Sequence, residues 1–239
     1  MLQPQIFADH AAVSEHAADW MADRLRRRPD LLTCLATGAT PMRCYELLAD
    51  RVASVPSLFD RVRVLKLDEW GGIAMDDPSS CEQYLRQALV TPLGLEARYV
   101  SFDSQVAKPQ AECARVAAWL AQHGPIDVCV LGLGVNGHLG FNEPADELQP
   151  HAHVAELSST TLAHAMVSDT ERRPTFGLTL GMADLLQSRE VLLLVTGAGK
   201  QAPLARLLSG RITTDFPASM LWLHPSVTLL CDEAACPRA

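Results

Sequence analysis

The sequence predicts an α/β fold with an open, mostly parallel, Rossmann-like sheet and helices on both of its faces. Three observations support this prediction. The length of 239 residues suits one large α/β domain, which we expect to span residues 1–239. The hydrophobic content of 48% is enough to bury a sizeable core. Short apolar runs alternate with segments of helical periodicity, which is typical of a parallel sheet covered on both faces.

The first half of the chain is predicted to alternate between helices and strands. Asp9 can cap the first helix, and apolar residues recur at helical spacing behind it. Pro41 suits the first turn of the second helix. The predicted elements are a helix over 9–28, a strand over 31–36, a helix from 41 to 48, a strand over 61–67, a helix from 77 to 89, a strand over 99–102 and a helix over 108–123.

The second half continues this alternation around a strongly apolar strand at residues 126–131. Ser158 begins a polar helical stretch that includes His164 and Met166. The other predicted elements are short strands over 152–157 and 175–180, a short helix over 181–186, a strand over 190–196, a helix after Lys200, a helical segment over 217–223 and a last strand over 227–231.

Charge and composition exclude several classes of protein. The formal charge of −8 and a pI near 5.4 argue against a nucleic-acid partner. The seven cysteines include no C-x-x-C pair, which indicates reduced thiols in a cytoplasmic protein. Neither a signal peptide nor an apolar run of membrane-spanning length is visible, so we expect no membrane association. The sequence leaves the oligomeric state open, a homo-oligomer included.

A glycine-rich loop follows the strand at 126–131 and is the first candidate for a functional site. Glycine permits positive φ and lets a ligand approach the backbone closely. His138 and Glu143 lie in this loop, and an open α/β sheet binds ligands at the carboxyl ends of its strands. The glycines are Gly132, Gly134, Gly137 and Gly140.

The same loop formally matches a dinucleotide-binding fingerprint, but we do not favour that interpretation. Glu156 follows Gly137 by 19 positions, near where a ribose-binding acid would lie. The fingerprint requires a helix directly after its last glycine, whereas Pro144 and Pro150 interrupt this segment. A proline inside a helix costs about 3 kcal/mol.

Three further segments place polar groups where strands are predicted to end. The turn at residues 37–41 joins a strand to a helix N-terminus and is suited to binding an anion, although an ordinary tight turn fits equally well. Lys200 follows Gly199 at the start of a helix, where it either supplies positive charge or lies on the surface. Asp68 follows the strand at 61–67, where a helix cap or an exposed loop is the default interpretation.

Four motifs in this order and spacing resemble the hexosamine-6-phosphate deaminase (isomerising) family. The resemblance extends from about residue 31 to 233. The sister family, 6-phosphogluconolactonase, shares the fold and a Gly-His loop but lacks the Phe-Asn-Glu-Pro ending seen here. Residues 66–70 and 219–224 look most like the galactosamine-6-phosphate isomerase or deaminase branch. The motifs are ATGATP at 36–41, LDEW at 67–70, GLGVNGHLGFNEP at 132–144 and GAGK at 197–200.

The resemblance implies a chemistry for these residues. His138, oriented by Glu143, would assist opening of the sugar ring, and Asp68 would carry a proton between C2 and C1 of the open chain. Asn136 would orient the loop or the substrate, leaving Glu143 alone to support His138. No metal or organic cofactor is implied. The implied substrate-binding residues are Thr37, Gly38, Ala39, Thr40, Gly137 and Lys200.

These roles are chemically reasonable. A carboxylate has two oxygens with which to reach two adjacent carbons, and a histidine near neutrality can both give and take a proton. The expected reaction converts galactosamine 6-phosphate to tagatose 6-phosphate and ammonia. Glucosamine 6-phosphate deamination to fructose 6-phosphate, hydrolysis of 6-phosphogluconolactone and non-catalytic sensing of a sugar phosphate are the alternatives.

Two departures from the family pattern affect the expected site. Some members carry aspartate where Asn136 stands, and an amide cannot share the charge of a carboxylate. The glucosamine enzymes have a phosphate-binding arginine after residue 158, where this chain has Val167, with Arg172 or Arg173 as possible substitutes. The allosteric residues of hexameric members do not align, so we do not predict activation by an N-acetylhexosamine phosphate.

Overall fold

A computed structural model describes residues 2–52, 54–163 and 173–237. Ten strands and seven α-helices occur in this part of the chain. The strands are β1 (Pro4–Phe7), β2 (Leu32–Leu35), β3 (Arg63–Lys66), β4 (Asp68–Gly71), β5 (Tyr99–Val100), β6 (Val128–Gly132), β7 (His153–Ala155), β8 (Phe176–Thr179), β9 (Glu190–Val195) and β10 (Val227–Asp232). The helices are α1 (His10–Arg27), α2 (Ala39–Arg51), α3 (Cys81–Leu85), α4 (Pro109–His123), α5 (Ser159–Leu162), α6 (Met182–Leu186) and α7 (Gln201–Leu208).

Side-chain caps explain where several helices begin. Asp9 accepts a hydrogen bond from the backbone N–H of Ala12 at 2.9 Å, as its position before α1 predicts. Ser80 caps α3 and Ser158 caps α5 in the same way, each through its hydroxyl oxygen and the third residue beyond it. These caps satisfy N–H groups that have no partner inside their helices.

The main sheet has seven strands, all parallel, in the order β1-β10-β9-β6-β2-β3-β5. This confirms the predicted fold class. The edge strand β1 was not predicted because none of its four residues is buried, so it lacks the apolar pattern of the other strands. It starts at Pro4, a residue suited to the first position of an edge strand.

Helices cover both faces of this sheet, as predicted. Successive residues of β9 point to opposite faces, so Leu192 and Leu194 belong to one apolar core and Leu193 to the other. The first core packs against α1 and α2, and the second packs against α4, α6 and α7. Within the described ranges, no helix has both the length and the apolar character needed to cross a membrane.

A second, smaller sheet was not predicted. Its strands β4, β8 and β7 are antiparallel, in that order, whereas the alternation had suggested that they continue the main sheet or, at Asp68, form a loop. β4 escapes detection because all four of its residues are buried, so it shows no alternation of polar and apolar positions. Its partner β8 lies more than one hundred residues further along the chain.

The order of strands locates the ligand-binding edge of the main sheet. From β2 the chain moves outward to β3 and β5, then returns to place β6 on the other side of β2. Loops that leave β2 and β6 therefore diverge and open a crevice at the carboxyl ends of these strands. This switch point is where open α/β sheets bind their ligands.

Candidate active site

A cavity of about 410 Å³ occupies this switch point. Its walls come from the loops after β2, β6 and β9, from β4 and from the N-terminal ends of α1, α3 and α5. Seven residues predicted from the sequence line it, namely Thr37, Gly38, Ala39, Thr40, Asp68, His138 and Lys200. The structure thus brings together side chains that are up to 163 positions apart in the sequence (200 − 37).

The turn between β2 and α2 forms one end of the cavity. Gly38 precedes α2 with a φ of +119°, a conformation that a residue with a Cβ rarely adopts. The phenol of Tyr45 donates to the carbonyl of Ala36 at 2.8 Å and thereby fixes the end of β2. The first backbone N–H groups of a helix carry no intrahelical partner and form its positive end, so this turn is suited to a phosphate.

Two neighbours of this turn were not predicted from the sequence. His10 at the start of α1 lies with its Nε2 3.0 Å from the carbonyl oxygen of Thr40. The hydroxyl of Thr196, at the end of β9, lies 3.2 Å from the hydroxyl of Thr40. Both residues line the cavity, and neither belongs to a recognisable motif.

Lys200 is the one lysine or arginine among the described residues that line the cavity. Its Nζ donates a hydrogen bond to the carbonyl of Leu133 at 2.6 Å and so connects the loops after β9 and β6. Partial burial lowers the pKa of its ammonium group. The default interpretation of a surface lysine is therefore wrong for this residue.

Asp68 begins β4 and is 8% exposed to solvent. Its Oδ1 atom accepts no hydrogen bond from any described residue. Burial raises the pKa of Asp68 to about 7, assisted by the negative charge of Glu69 and opposed by Lys66. A carboxyl group of this kind can exchange a proton near neutral pH.

Gly140 keeps space open beside that carboxyl group. It has a φ of +58°, and a Cβ at this position would come within 2.8 Å of the Thr179 hydroxyl and 3.4 Å of Asp68 Oδ2. The glycine that sequence analysis placed in the loop is therefore needed for both its backbone conformation and its lack of a side chain.

A fully buried ion cluster lies next to Asp68. The Nζ of Lys66 donates to Glu69 at 2.6 Å, to Glu82 at 2.8 Å and to the carbonyl of Phe102 at 3.3 Å. Burial acts to lower the pKa of Lys66, but the two carboxylates outweigh it and raise that pKa. Three acceptors thus satisfy the three protons of one ammonium group.

Glu69 joins this cluster to the protein backbone. Its carboxylate accepts the N–H groups of Trp70, Cys81 and Glu82 at 2.8, 3.0 and 2.8 Å, in addition to Lys66. These bonds hold β4 against the N-terminus of α3. The cluster therefore fixes the strand that carries Asp68.

His138 lies on the opposite loop, with its Nδ1 3.2 Å from the Thr161 hydroxyl and 3.5 Å from Glu143 Oε2. The amide of Asn136 donates to Glu143 at 2.7 Å, and its carbonyl oxygen accepts the backbone N–H of His138 at 3.2 Å. Burial acts to raise the pKa of Glu143, but the nearby His138 and hydrogen bonds from Thr161 and Asn136 lower it to about 2. Glu143 is therefore a carboxylate at any working pH.

The expectation that Glu143 alone supports His138 is wrong. Thr161 lies between the two side chains, hydrogen-bonded to both. Sequence analysis missed Thr161 because Ser158-x-x-Thr161 matches an ordinary helix cap, which it also is. A threonine carries no chemical signature that would have distinguished it.

Four of the described residues that were predicted for the site do not line the cavity. Asn136 and Glu143 lie behind His138. Gly137 is buried, and a Cβ on it would come within 2.1 Å of the Phe216 ring, so close packing explains this glycine. Arg173 is exposed and lies away from the cavity walls. The sequence-based expectations for His164, Met166, Val167 and Arg172 fall outside the described residues.

These features define a class of protein. A cavity at the switch point of an α/β sheet, with an anion-binding turn, a lysine and two groups able to transfer protons, is typical of enzymes that act on small phosphorylated molecules. The chain belongs to the family described as glucosamine-6-phosphate isomerases/6-phosphogluconolactonase, whose profile matches residues 8–230.

Individual relatives agree with this membership. A protein of Escherichia coli (strain K12) named "Putative deaminase AgaI" is 43% identical over 223 residues, which cover 93% of this chain and 88% of the relative. The glucosamine-6-phosphate deaminase of Rhodopirellula baltica is 35% identical, covering 98% of this chain and 95% of that protein. The solved structure of a monomeric glucosamine-6-phosphate deaminase superposes with a TM-score of 0.91 at 31% identity, covering 98% of each chain.

Proposed function

We propose that the protein is a hexosamine-6-phosphate deaminase. It converts a 2-amino-2-deoxyhexose 6-phosphate and water to a 2-ketohexose 6-phosphate and ammonia. One observation carries the proposal: the carboxyl group of Asp68, whose pKa is raised to about 7 by burial, lines the same cavity as His138. Names of relatives over nearly the full chain length support the same reaction.

The proposed binding mode places the phosphate at the turn between β2 and α2. The N–H groups of residues 38–40, the hydroxyls of Thr37 and Thr40 and the ammonium of Lys200 would hold it. Because the chain carries a formal charge of −8, these local positive groups are needed for an anionic substrate. The sugar ring would then extend through the cavity toward Asp68 and His138.

The proposed reaction begins with opening of the sugar ring at His138. The imidazole moves a proton from the anomeric hydroxyl to the ring oxygen, and the C1–O5 bond breaks as C1 becomes an aldehyde. Glu143 stabilises the transient imidazolium because it remains negatively charged. The open chain then presents its C2 proton to the opposite side of the cavity.

Asp68 would carry out the next transfer. Its carboxylate takes the proton from C2 and returns it to C1, while one proton of the amino group moves to O1, which gives a hydroxyl at C1 and an imine at C2. Water adds to this imine and ammonia leaves, so the product is a ketose phosphate. A base with a pKa near 7 is matched to this task, since it both removes and returns a proton.

The proposal also includes the configuration of the sugar, which is either galacto or gluco. We favour galactosamine 6-phosphate, because KLDEW at residues 66–70 and the segment at 219–224 look most like that branch. Hydrolysis of 6-phosphogluconolactone is the second candidate, because the family's description includes it. That reaction needs no base at C2, and so gives no role to Asp68.

The test is ammonia release from galactosamine 6-phosphate and glucosamine 6-phosphate, assayed side by side, with lactone hydrolysis as the control. We expect release from both sugars to be detectable and kcat/KM to be higher for the galacto sugar. A higher kcat/KM for the gluco sugar would support the same reaction but make glucosamine 6-phosphate the preferred substrate. Lactone hydrolysis without ammonia release would overturn the proposal.

The pKa of Asp68 predicts how turnover depends on pH. The reaction requires the carboxylate, which is lost as the pH falls through about 7. At saturating substrate, kcat should therefore fall about tenfold for each pH unit below that value. Measuring kcat rather than kcat/KM excludes the titration of the free substrate's phosphate. A kcat that stays constant down to pH 5, about two units below that pKa, would contradict the assignment of Asp68 as the base.

A further inference from the structure

Thr161 has its hydroxyl group at the centre of a closed set of hydrogen bonds. It is buried, with 3% of its surface exposed. Its Oγ1 lies 3.2 Å from His138 Nδ1, 3.1 Å from the Ser158 hydroxyl, and in short hydrogen-bond contact with Glu143 Oε1. Its backbone N–H donates to Ser158 at 3.2 Å, which fixes its place at the start of α5.

The number of protons available decides the direction of each bond. A hydroxyl donates one hydrogen bond and accepts two. Glu143 is ionised and can only accept, so the Thr161 proton must point to it. The Ser158 hydroxyl accepts the Thr161 N–H and, at 3.4 Å, the Asn136 amide, so its own proton points to Thr161. Thr161 has one acceptor position left, and His138 Nδ1 fills it as a donor.

Glu143 does not set this proton position directly. The distance of 3.5 Å from its Oε2 to His138 Nδ1 exceeds the usual 2.7–3.2 Å of an N–H···O bond. That oxygen instead accepts the Asn136 amide at 2.7 Å. The carboxylate therefore acts on the imidazole through the Thr161 hydroxyl.

The other ring nitrogen, Nε2, lies beside Gly134. A Cβ built on Gly134, which lines the cavity, would come within 2.5 Å of His138 Nε2. The absence of a side chain at Gly134 leaves room for this edge of the imidazole. A proton held on Nδ1 thus leaves Nε2 as an acceptor toward the substrate.

We infer that Thr161 is a positioning residue whose hydroxyl fixes the neutral tautomer of His138, with the proton on Nδ1 and none on Nε2. Its chemical consequence rests on the proposed function. Nε2 first takes the proton of the anomeric hydroxyl, the C1–O5 bond breaks as the C1=O1 bond forms, and Nε2 then gives that proton to O5. The imidazole returns to the same tautomer, and no other reactant is consumed.

The direct test is nitrogen-15 NMR of the imidazole at a pH at which His138 is neutral. The intact protein should show a protonated Nδ1 and an unprotonated Nε2, with the signals assigned by their loss in His138→Gln. Thr161→Val keeps the shape of the side chain but removes the hydroxyl, so the Nδ1 preference should disappear. Thr161→Ser retains the hydroxyl and should retain the wild-type tautomer.

Kinetics give a second readout. We expect Thr161→Val to lower kcat/KM for the aminosugar phosphate about 10²-fold, the lower end of what a positioned acid–base group contributes. Thr161→Ser should recover most of that loss, which a purely structural role for the methyl group would not produce. KM should change less than kcat, because Thr161 is not proposed to hold the phosphate.

The outcomes separate this inference from the proposed function. A proton on Nε2 in the intact protein would overturn the inference, as would an unchanged tautomer in Thr161→Val. If Thr161→Val does not fold, the spectra of the intact protein and of Thr161→Ser decide the question. If neither aminosugar phosphate is deaminated, the proposed function fails, and the same spectra still decide which nitrogen carries the proton.

Discussion

Asp68→Asn is expected to reduce turnover of the aminosugar phosphate by about 10⁴-fold, the upper end of the range that a general base contributes. The amide is nearly the same size as the carboxyl group but cannot take a proton from C2. Because the proposed phosphate site lies at the other end of the cavity, substrate binding should persist. Steady-state ammonia release and calorimetric titration with the substrate measure the two effects separately.

The matched control for this variant is Asp50→Asn. Asp50 is exposed at the end of α2, so the same chemical change there should leave turnover and binding as they are. Retention of most turnover in Asp68→Asn would show that the proton is carried by another group. Loss of binding together with turnover would mean that Asp68 holds the substrate rather than transferring its proton.

Lys66→Met should have the largest effect on stability. Lys66 and Glu69 are completely buried, and Glu82 nearly so. Removing the ammonium leaves Glu69 without its cation, while Glu82 keeps an ion pair with Arg86 at 2.7 Å. Breaking a buried pair of this kind typically costs about 3–5 kcal/mol. The free energy of unfolding, measured with urea, should fall by about that amount.

Lys108→Met is the matched control for this change. Lys108 is exposed at the residue before α4, where the same substitution should alter the free energy of unfolding by less than about 0.5 kcal/mol. Equal stability of the two methionine variants would contradict the importance of the cluster. Addition of Glu82→Gln to Lys66→Met should restore part of the loss, because it removes one of two neighbouring buried negative charges.

Much of the fold followed from patterns within short segments. The apolar runs at 32–35, 128–132 and 190–195 form strands where they were predicted, since each is buried on both faces of a parallel sheet. The carboxyl ends of such strands lie along one edge, and Thr37, His138 and Lys200 line one cavity there. Their roles in catalysis stay predictions.

The unpredicted features depend on contacts between distant segments. β4 is recognisable as a strand only through its pairing with β8, and LDEW by itself fits a loop equally well. In the sequence, Lys66 looks like a polar residue that interrupts an apolar strand. Its partner Glu82 becomes evident only in the folded structure. Thr161 and His10 lack any signal in the sequence, because a threonine in a cap and a histidine at a helix start are common.

The antiparallel pairing of β4 with β8 has a consequence for how the site comes into existence during folding. Asp68 is paired with Thr179, 111 positions further on (179 − 68), and Thr179 also accepts the backbone N–H of Phe141 at 3.2 Å. The entropy of closing so long a loop opposes such contacts, and chains rich in them fold slowly. The surroundings of the Asp68 carboxyl group are therefore formed by segments that are distant in the sequence. No contiguous fragment that ends before β8 contains all of them. Recovery of turnover after denaturation would therefore report that β4 and β8 have paired. Recovery of the helical signal would report only that the helices have formed.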